Sequence, residues 1–303
     1  MRVLINGLPL FAKRLADELQ KFDPQSSYIF LDTYNSKWAQ LLFFIYLPFS
    51  DCVISMNGVT DNSGSINLVL KWKKKLILQW MGTDILLAIE RFKNSTIDRK
   101  YIDYATNFVD APWMMEELKS ANINTEKLHF KFVEMNTIIE KYSSISVMSY
   151  VAQNRQDFYG MDEIIQLAIV FPEIEFSLYG LEKAEKPITE NIKLYGWVSP
   201  EVFQEKLMQT PIFLRLTKHD GFSLAILEAL SFGAEVITSF KSDFGHSAIT
   251  FDDVPKAMLQ AIKEVENRHF KPNLALVEKL QIEFKKEKIL SNYVKKLKEI
   301  VSK

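Results

Sequence analysis

Two acidic side chains, Asp220 and Glu228, stand with seven residues between them in the segment KHDGFSLAILEALSFG, residues 218–233. Glu228 is the one charged residue in the otherwise apolar run LAILEAL, residues 224–230. A carboxylate at such a position can accept hydrogen bonds from two neighbouring hydroxyls, such as those of a ribose ring. Two plainer interpretations are that Glu228 marks a narrow solvent-facing stripe and that Asp220 caps the turn before a helix.

The two acids belong to a predicted junction of strand, loop and helix. The apolar run PIFLRLT (211–217) predicts a strand, and residues 223–232 predict a helix that Gly233 ends. Open α/β sheets bind ligands at the carboxyl ends of parallel strands. Backbone amides of the loop, with the positive end of the helix behind them, suit a phosphate or diphosphate. The residues that carry these amides are Gly221, Phe222 and Ser223.

Apolar runs of strand type alternate with helical patterns along the chain, which predicts βαβ units, parallel sheets and an α/β fold. A first series of strands is predicted at 2–6, 28–32, 52–56, 75–80 and 107–111. A second series is predicted at 144–151, 173–180, 191–196, 211–217 and 234–239. Two series indicate two Rossmann-like domains, which we place at residues 1–137 and 138–285, with a cleft expected between them. Segment 286–303 predicts an amphipathic C-terminal helix, and its return to the N-terminal domain is left open.

The composition excludes several classes of protein. Lys and Arg total 37 against 38 Asp and Glu, so the net charge of −1 gives no reason to expect a nucleic-acid partner. The single cysteine, Cys52, cannot form an intramolecular disulfide, and neither a signal peptide nor a membrane-spanning helix is predicted. We therefore expect a cytoplasmic protein. No Asp-x-Asp motif or cluster of His and Cys appears, so no metal site is predicted.

A longer block, GWVSPEVFQEKLMQTPIFLRLTKHDGFSLAILEALSFGAEVITS (196–239), resembles the core signature of retaining glycosyltransferases of family 4. The segments LILQWMGTDILLA (76–88) and FYGMDEIIQLAIVFPEIEFSLYG (158–180) are similar to further motifs of that family. The resemblance implies the GT-B fold, in which two Rossmann-like domains have parallel sheets that face a central cleft. It also implies metal-independent transfer of a hexose from a nucleoside diphosphate sugar, most often a UDP-sugar, with retention of configuration.

The resemblance also assigns roles to the two acids. Asp220 stands where a family acid contacts the hydroxyls of the donor sugar, and Glu228 stands where a second acid holds the nucleotide ribose. The first acid is usually Glu in the family, and the shorter arm of Asp220 leaves the donor sugar open. The hexose and the base are therefore not fixed by these motifs.

In the family, two basic residues balance the charge of the leaving diphosphate, and this sequence differs at both positions. Tyr150 and Tyr159 occupy the apparent positions of the two usual basic residues. We expect Arg155 and Lys218 to bind the donor in their place, because guanidinium and ammonium groups bind phosphates. For Arg215, which alternates within a strand, a buried structural ion pair and ligand contact are equal alternatives.

In the N-terminal, acceptor-side domain, the resemblance places the loop at Gly7 beside the reaction centre, and we expect Gly7 to contact the donor. Glycine in such a turn lets a ligand or another backbone come near. Asp84, in the WMGTD segment, is predicted to point toward the acceptor as a second catalytic acid. Its plainer interpretation is an N-cap for a helix over 85–91.

The leading hypothesis is thus a hexosyltransferase of polysaccharide or glycoconjugate synthesis, acting on a glycan, glycolipid or protein-linked acceptor. An alternative is a catalytically weak GT-B homologue that serves as a binding or chaperone subunit of an active glycosyltransferase. The apolar segment KWAQLLFFIYLPF (37–49), together with Lys13, Arg14 and the lysines of 71–75, also has two interpretations. It packs in the core around a buried helix, or it forms a surface for peripheral contact with the inner membrane face.

Overall fold

The computed structural model describes residues 1–134 and 138–302, which fold into two compact units. Unit 1 contains Met1–Phe132 and the C-terminal segment from Lys286 onward, and unit 2 contains Val133–Lys285. Residue 137, where the predicted N-terminal domain ends, lies outside the described residues, as does residue 303. Each unit contains a six-stranded parallel sheet and several helices, so the predicted α/β fold with two parallel sheets is confirmed.

The sheet of unit 1 is formed by the N-terminal strands of the chain. These are β1 (Arg2–Gly7), β2 (Ser27–Phe30), β3 (Cys52–Met56), β4 (Lys75–Gln79), β5 (Thr106–Val109) and β6 (Glu126–Lys127). Their order in the sheet is β2-β1-β3-β4-β5-β6, and all neighbours are parallel. The central strands β1, β3 and β4 are buried along almost their whole length, which explains their continuous apolar runs.

Helices connect these strands. They are α1 (Pro9–Phe22), α2 (Lys37–Tyr46), α3 (Gly64–Lys71), α4 (Thr83–Lys93), α5 (Arg99–Tyr104) and α6 (Pro112–Ser120). In α1, proline occupies the first turn, where its missing N–H costs no hydrogen bond. The buried side chains of α1 recur at three- and four-residue spacing and face the sheet of unit 1; they are Ala12, Leu15, Ala16 and Leu19.

Unit 2 repeats this architecture. Its strands are β7 (Ser146–Tyr150), β8 (Glu175–Tyr179), β9 (Ile192–Leu194), β10 (Ile212–Arg215), β11 (Glu235–Thr238) and β12 (His246–Ser247). Its helices are α7 (Met161–Val170), α8 (Pro200–Met208), α9 (Leu224–Ser231), α10 (Asp253–Asn267) and α11 (Leu274–Phe284). The sheet has the order β12-β11-β10-β7-β8-β9, again parallel throughout, and β10 and β7 are neighbours at its centre.

The C-terminal helix α12 (Lys286–Ser302) is part of unit 1 and packs against α1. Its apolar face contributes six buried side chains to the core of that unit: Ile289, Leu290, Tyr293, Val294, Leu297 and Ile300. The Tyr293 hydroxyl donates a hydrogen bond to Gln79 Oε1, at the end of β4, at 3.3 Å. The amphipathic pattern of the sequence thus describes a helix whose apolar side completes a core built mainly from the first 132 residues.

Helix α2 differs from the interpretation as a buried helix. Within it the structure buries Phe43, whereas most of its other large apolar side chains are exposed. The interpretation that segment 37–49 packs in the core is therefore wrong for most of its residues. Apolar composition predicts burial on average, but the neighbouring elements decide which face of a helix is covered.

Candidate functional site

The loop between β10 and α9 lies at the centre of the sheet of unit 2. Strand β10 ends at Arg215, and α9 begins at Leu224, with Ser223 as its N-cap. The Ser223 side chain accepts a hydrogen bond from the Ile226 N–H at 3.4 Å, which satisfies one donor of the first turn. Gly233, with φ 79°, follows the end of the helix in the left-handed conformation expected there. The sequence therefore determines both ends of this loop locally.

Asp220 holds the loop together. Its Oδ2 accepts a hydrogen bond from Arg215 Nε at 2.6 Å and a longer one from Thr217 Oγ1 at 3.4 Å. Its Oδ1 accepts one from the Ser223 N–H at 2.8 Å. The carboxylate is almost completely buried, and Arg215 is largely buried beside it. Asp220 thus connects the end of the strand, the loop and the first turn of the helix, and it does so with a charge-assisted bond.

Phe222 has an unusual backbone conformation in this loop. Its φ is 62°, in the left-handed region that bulky residues rarely adopt. Its ring is buried and lies 5.2 Å, between centroids, from the ring of Phe284 in α11. Such conformations persist where surrounding packing holds them, and they cluster at functional sites. Of the predicted phosphate-binding amides of Gly221, Phe222 and Ser223, that of Ser223 donates to Asp220.

Glu228 lies one turn further along α9 and is half-buried. Its Oε1 accepts a hydrogen bond from Gln204 Nε2, in α8, at 2.9 Å. The two helices α8 and α9 pack together, so the carboxylate is held at their contact. Sequence reasoning missed Gln204, because a glutamine in the amphipathic segment 200–208 carries no signal of a partner 24 residues away.

A second loop, which follows the neighbouring strand β7, lies against the first one. The Lys218 N–H donates to the Phe158 carbonyl at 2.9 Å, and Lys218 Nζ lies 2.5 Å from Asp157 Oδ2 in an exposed ion pair. The Arg155 guanidinium carbon lies 4.0 Å from the centroid of the Phe158 ring. The predicted donor-binding residues Arg155 and Lys218 thus belong to two loops in direct contact.

Gly160 allows this contact. Its φ is 72°, and a Cβ atom at this position would lie 2.3 Å from the carbonyl oxygen of Leu216. The adjacent ring of Tyr159 lies under Arg215, whose guanidinium carbon is 5.1 Å from the ring centroid. Tyr159 also contacts Tyr150 edge to face. The two tyrosines therefore form an aromatic cluster beside Arg215.

Asp84, in unit 1, is buried and is surrounded by backbone amides. Its two carboxylate oxygens accept hydrogen bonds from the N–H groups of four residues, at distances from 2.5 to 3.1 Å: Gly58, Met81, Gly82 and Ile85. Burial raises the pKa of Asp84, and the four amides act in the opposite direction. Asp84 stands inside α4, which starts at Thr83, and it joins this helix to the loop after β3.

Gly7 lies at the end of β1. Its φ is 106°, and a Cβ atom there would lie 2.6 Å from the carbonyl oxygen of Met56 in β3. The close neighbour that requires glycine is therefore the adjacent backbone of the same sheet. The N–H of the next residue, Leu8, donates to that carbonyl at 3.0 Å.

Unit 1 also contains a cavity of about 670 Å³ beside Asp84. Its lining is rich in hydroxyl and amide groups, including Thr33, Asn57, Thr60, Ser63 and Ser65. Behind the lining, Asn6 Nδ2 donates to Thr33 Oγ1 at 3.3 Å and to Ser65 Oγ at 3.4 Å. The volume suits a small molecule or a few sugar rings, and the polar groups suit hydroxyl-rich ligands.

Three further polar residues come together in unit 2. His246 Nε2 lies 3.1 Å from Glu235 Oε2 and 3.7 Å from Glu264 Oε2, so this group could hold a metal ion. Glu235 is shared with Arg268 and with Asn273, whose Nδ2 donates to it at 3.0 Å. The cluster thus resembles a structural ion network between β11, β12, α10 and the segment before α11.

Neither a protein-family model nor a curated protein matches the sequence. The structure is similar to solved glycosyltransferases. Sucrose-phosphate synthase from Thermosynechococcus elongatus matches with a TM-score of 0.69 and 10% identity over 100% of this chain and 99% of that chain. HepE from Anabaena, solved in complex with UDP and glucose, matches with a TM-score of 0.66 and 12% identity over 98% of this chain and 99% of that chain.

TarM from S. aureus, solved with fondaparinux, alpha-GlcNAc-glycerol and UDP, matches with a TM-score of 0.59 and 13% identity over 88% of this chain. This chain spans 59% of the TarM chain and 60% of pneumococcal GtfA. At such identities the similarity defines the fold, and the chain has the two-sheet α/β fold of GT-B glycosyltransferases.

Proposed function

We propose that the protein is a glycosyltransferase that moves a hexose from a nucleoside diphosphate sugar to an acceptor hydroxyl. The observation that carries this proposal is the contact between the loops after β7 and β10, which assembles Asp220, Arg215 and Lys218 at the carboxyl ends of two central strands. Ligands of open α/β sheets bind at such a position. Several proteins with this fold were solved with UDP, which supports a UDP-sugar as the donor.

In this proposal, the donor lies across the loop between β10 and α9. Lys218 and Arg155 balance the charge of the diphosphate, assisted by the positive end of α9. Glu228 accepts hydrogen bonds from the ribose hydroxyls, and Gln204 fixes its carboxylate. Asp220 positions Arg215 and the start of α9. It is also the acid that we expect to lie beside the donor sugar.

The chemical step transfers the glycosyl group without a metal ion. The bond between the anomeric carbon and the diphosphate oxygen breaks, and a bond from that carbon to the acceptor oxygen forms. The acceptor proton passes to the leaving diphosphate, so the step is balanced. Attack on the face from which the diphosphate leaves gives retention of configuration, which the resemblance to family 4 supports.

For the acceptor, we propose the cavity of unit 1. Its hydroxyl and amide lining suits a carbohydrate, whether in a glycan, a glycolipid or a protein-linked chain. Asp84 lies in the wall of this cavity. The hydrogen bonds that it accepts from four backbone amides give it a structural role in positioning the loop after β3.

Donor binding is tested with a thermal-shift panel of UDP-, GDP- and ADP-sugars. We expect UDP-sugars to raise the melting temperature and Glu228→Gln to weaken their binding about tenfold, because it removes a charged acceptor of two hydroxyls. Glu266→Gln is the matched control, since Glu266 is an exposed acid on α10 of the same unit. The proposal fails if no nucleotide sugar stabilises the protein, or if both variants bind like the wild type.

Transfer is tested with a labelled UDP-hexose and a panel of glycan and glycolipid acceptors. We expect product whose anomeric configuration, read by NMR, matches that of the donor, and whose formation is unchanged by EDTA. An inverted product would contradict retention, and loss of transfer in EDTA would contradict the metal-independent step. Binding without any transfer or donor hydrolysis would contradict the enzymatic proposal and leave a nucleotide-binding protein.

A further inference from the structure

An exposed apolar surface covers α2 and the short 3₁₀ helix that follows it, Leu47–Phe49. We call it the α2 surface, and its exposed members are Trp38, Leu41, Leu42, Phe44, Ile45, Tyr46 and Phe49. Trp38 is 76% exposed and Phe44 is 49% exposed. Single exposed apolar residues are ordinary, but here seven of twelve consecutive residues are exposed and apolar, and concentrations of exposed apolar surface mark interaction sites.

The α2 surface is firmly attached to unit 1. Phe43 and Leu47, one turn apart, are fully buried and anchor the helix. Ser36 caps the N-terminus, because its side chain accepts a hydrogen bond from the Ala39 N–H at 3.2 Å. Lys74 Nζ donates to the carbonyls of Pro48 and Ser50, at 2.7 and 2.8 Å, and holds the segment after the helix. The exposed side chains therefore stand on an anchored helix and not on a frayed end.

The charged side chains within the segments that form and border this surface are positive, and the acids Asp32 and Asp51 lie just beyond its two ends. No Asp or Glu occurs from residue 33 to 50 or from residue 62 to 83. Lys37 begins α2. Helix α3, which packs beside α2, ends at Lys71 and is followed by Trp72 and Lys73, and all three side chains are exposed. A patch of aromatic and aliphatic side chains bordered by lysines is complementary to a surface that is apolar within and negatively charged at its face.

We propose that the α2 surface docks on an anionic lipid bilayer, with α2 lying in the plane of the membrane. Ten residues give a helix of about 15 Å, which is half of the hydrocarbon thickness and fits the interfacial region. Trp and Tyr side chains are favoured at that depth, and lysines contact the headgroups. No helix in the described part of the chain is long and apolar enough to cross a membrane. This proposal does not rest on the proposed glycosyl transfer.

The charges favour a lipid surface over a second copy of the chain. A twofold contact would place the same patch against itself. Lysines would then approach lysines across an interface whose own segments supply no acid, which costs free energy. An anionic bilayer, in contrast, attracts each lysine and covers the aromatic side chains at the same time.

Flotation of the purified protein with vesicles tests the proposal. We expect the protein to float with phosphatidylcholine vesicles that contain phosphatidylglycerol, and to float less as salt rises or when phosphatidylglycerol is omitted. Trp38→Ser/Phe44→Ser should reduce partitioning by about tenfold or more. The matched control is Trp197→Ser/Phe251→Ser in unit 2, whose wild-type side chains are 75% and 51% exposed, and it should float like the wild type.

A second pair of variants tests the charges. Lys71→Gln/Lys73→Gln should weaken flotation with anionic vesicles at low salt, and the difference from the wild type should vanish at high salt. All variants are first checked by circular dichroism and melting temperature, and exposed substitutions should leave both unchanged.

The proposal is overturned if the wild type does not float with anionic vesicles at low salt. It is also overturned if Trp38→Ser/Phe44→Ser floats as well as the control variant. Light scattering after size exclusion gives the third outcome: a dimer that Trp38→Ser/Phe44→Ser dissociates would assign the surface to a second copy of the chain.

Discussion

Asp84 in unit 1 and Asp220 in unit 2 are both buried acids at the start of a helix, but they have different partners. Asp84 accepts hydrogen bonds from four backbone amides. Asp220 accepts one from a backbone amide, one from the guanidinium of Arg215 and a longer one from the Thr217 hydroxyl. Asp84 therefore fixes a backbone path, while Asp220 also fixes the position of a positive charge. A buried carboxylate near a ligand cavity is not in itself a catalytic group, and its donors indicate what it does.

The largest expected effect is that of Asp84→Ala on stability. It removes the acceptor of the Gly58, Met81 and Gly82 N–H groups, whereas the Ile85 N–H still donates to the Gly82 carbonyl at 2.9 Å. We expect a loss of about 3 kcal/mol or more in the free energy of unfolding. Urea unfolding measures it. Glu90→Ala, on the exposed side of α4, is the control and should change stability by less than about 0.5 kcal/mol. A small effect of Asp84→Ala on stability would contradict the structural role of Asp84 and would favour a role in catalysis.

Arg215→Met should have the next largest effect. It leaves the buried Asp220 carboxylate without its cation, which costs about 3 kcal/mol in comparable buried pairs. Combining it with Asp220→Asn should cost less than the sum of the two single changes, because the uncompensated charge is then absent. Urea unfolding of the four proteins gives this coupling energy. Strict additivity would contradict the ion pair.

Gln204→Ala tests the residue that holds Glu228. We expect a loss of about 1 kcal/mol in donor binding, or about fivefold in affinity, because the carboxylate loses a hydrogen bond that orients it. Titration calorimetry with UDP measures the affinity. The neighbouring exposed variant Glu205→Gln should bind like the wild type. Equal affinities of Gln204→Ala and the wild type for UDP would contradict the proposed contact between Glu228 and the ribose.

The smallest effect is expected for Lys218→Met on stability. The Lys218 ammonium lowers the pKa of Asp157 below its ordinary value of 3.8. A lowered pKa in the folded state stabilises the protein above the unfolded pKa, and this contribution disappears as pH falls through the folded pKa. The difference in melting temperature between wild type and variant should therefore be slight at pH 7 and should shrink as pH falls below 3.8. A difference that grows on acidification would contradict the pair.

The sequence predicted most of the fold, because parallel strands buried on both faces leave continuous apolar runs. Ten strands were found in this way, but β6 and β12 have two residues each and leave no such pattern. The ends of α9 were predicted as well, since Ser223 and Gly233 act within one turn of their own positions. Local signals thus located the elements and their caps.

Partners that come from distant parts of the chain were not predictable. The Gly58 amide reaches Asp84 across 26 residues, and Gln204 reaches Glu228 across 24. The exposure of α2 is a third case, since the run 37–49 is as apolar as a core segment. In each case the deciding contact depends on how separate elements pack, and a single sequence does not state that packing.

The two-part composition of unit 1 has a consequence for biosynthesis. Its core takes six side chains from α12, which the ribosome produces only after all of unit 2. The continuous segment 133–285 can therefore acquire its tertiary structure on the nascent chain before α12 is available to complete the core of residues 1–132. Premature termination before Lys286 would leave the apolar groove beside α1 open to water, and we expect such fragments to be recognised by chaperones or to aggregate.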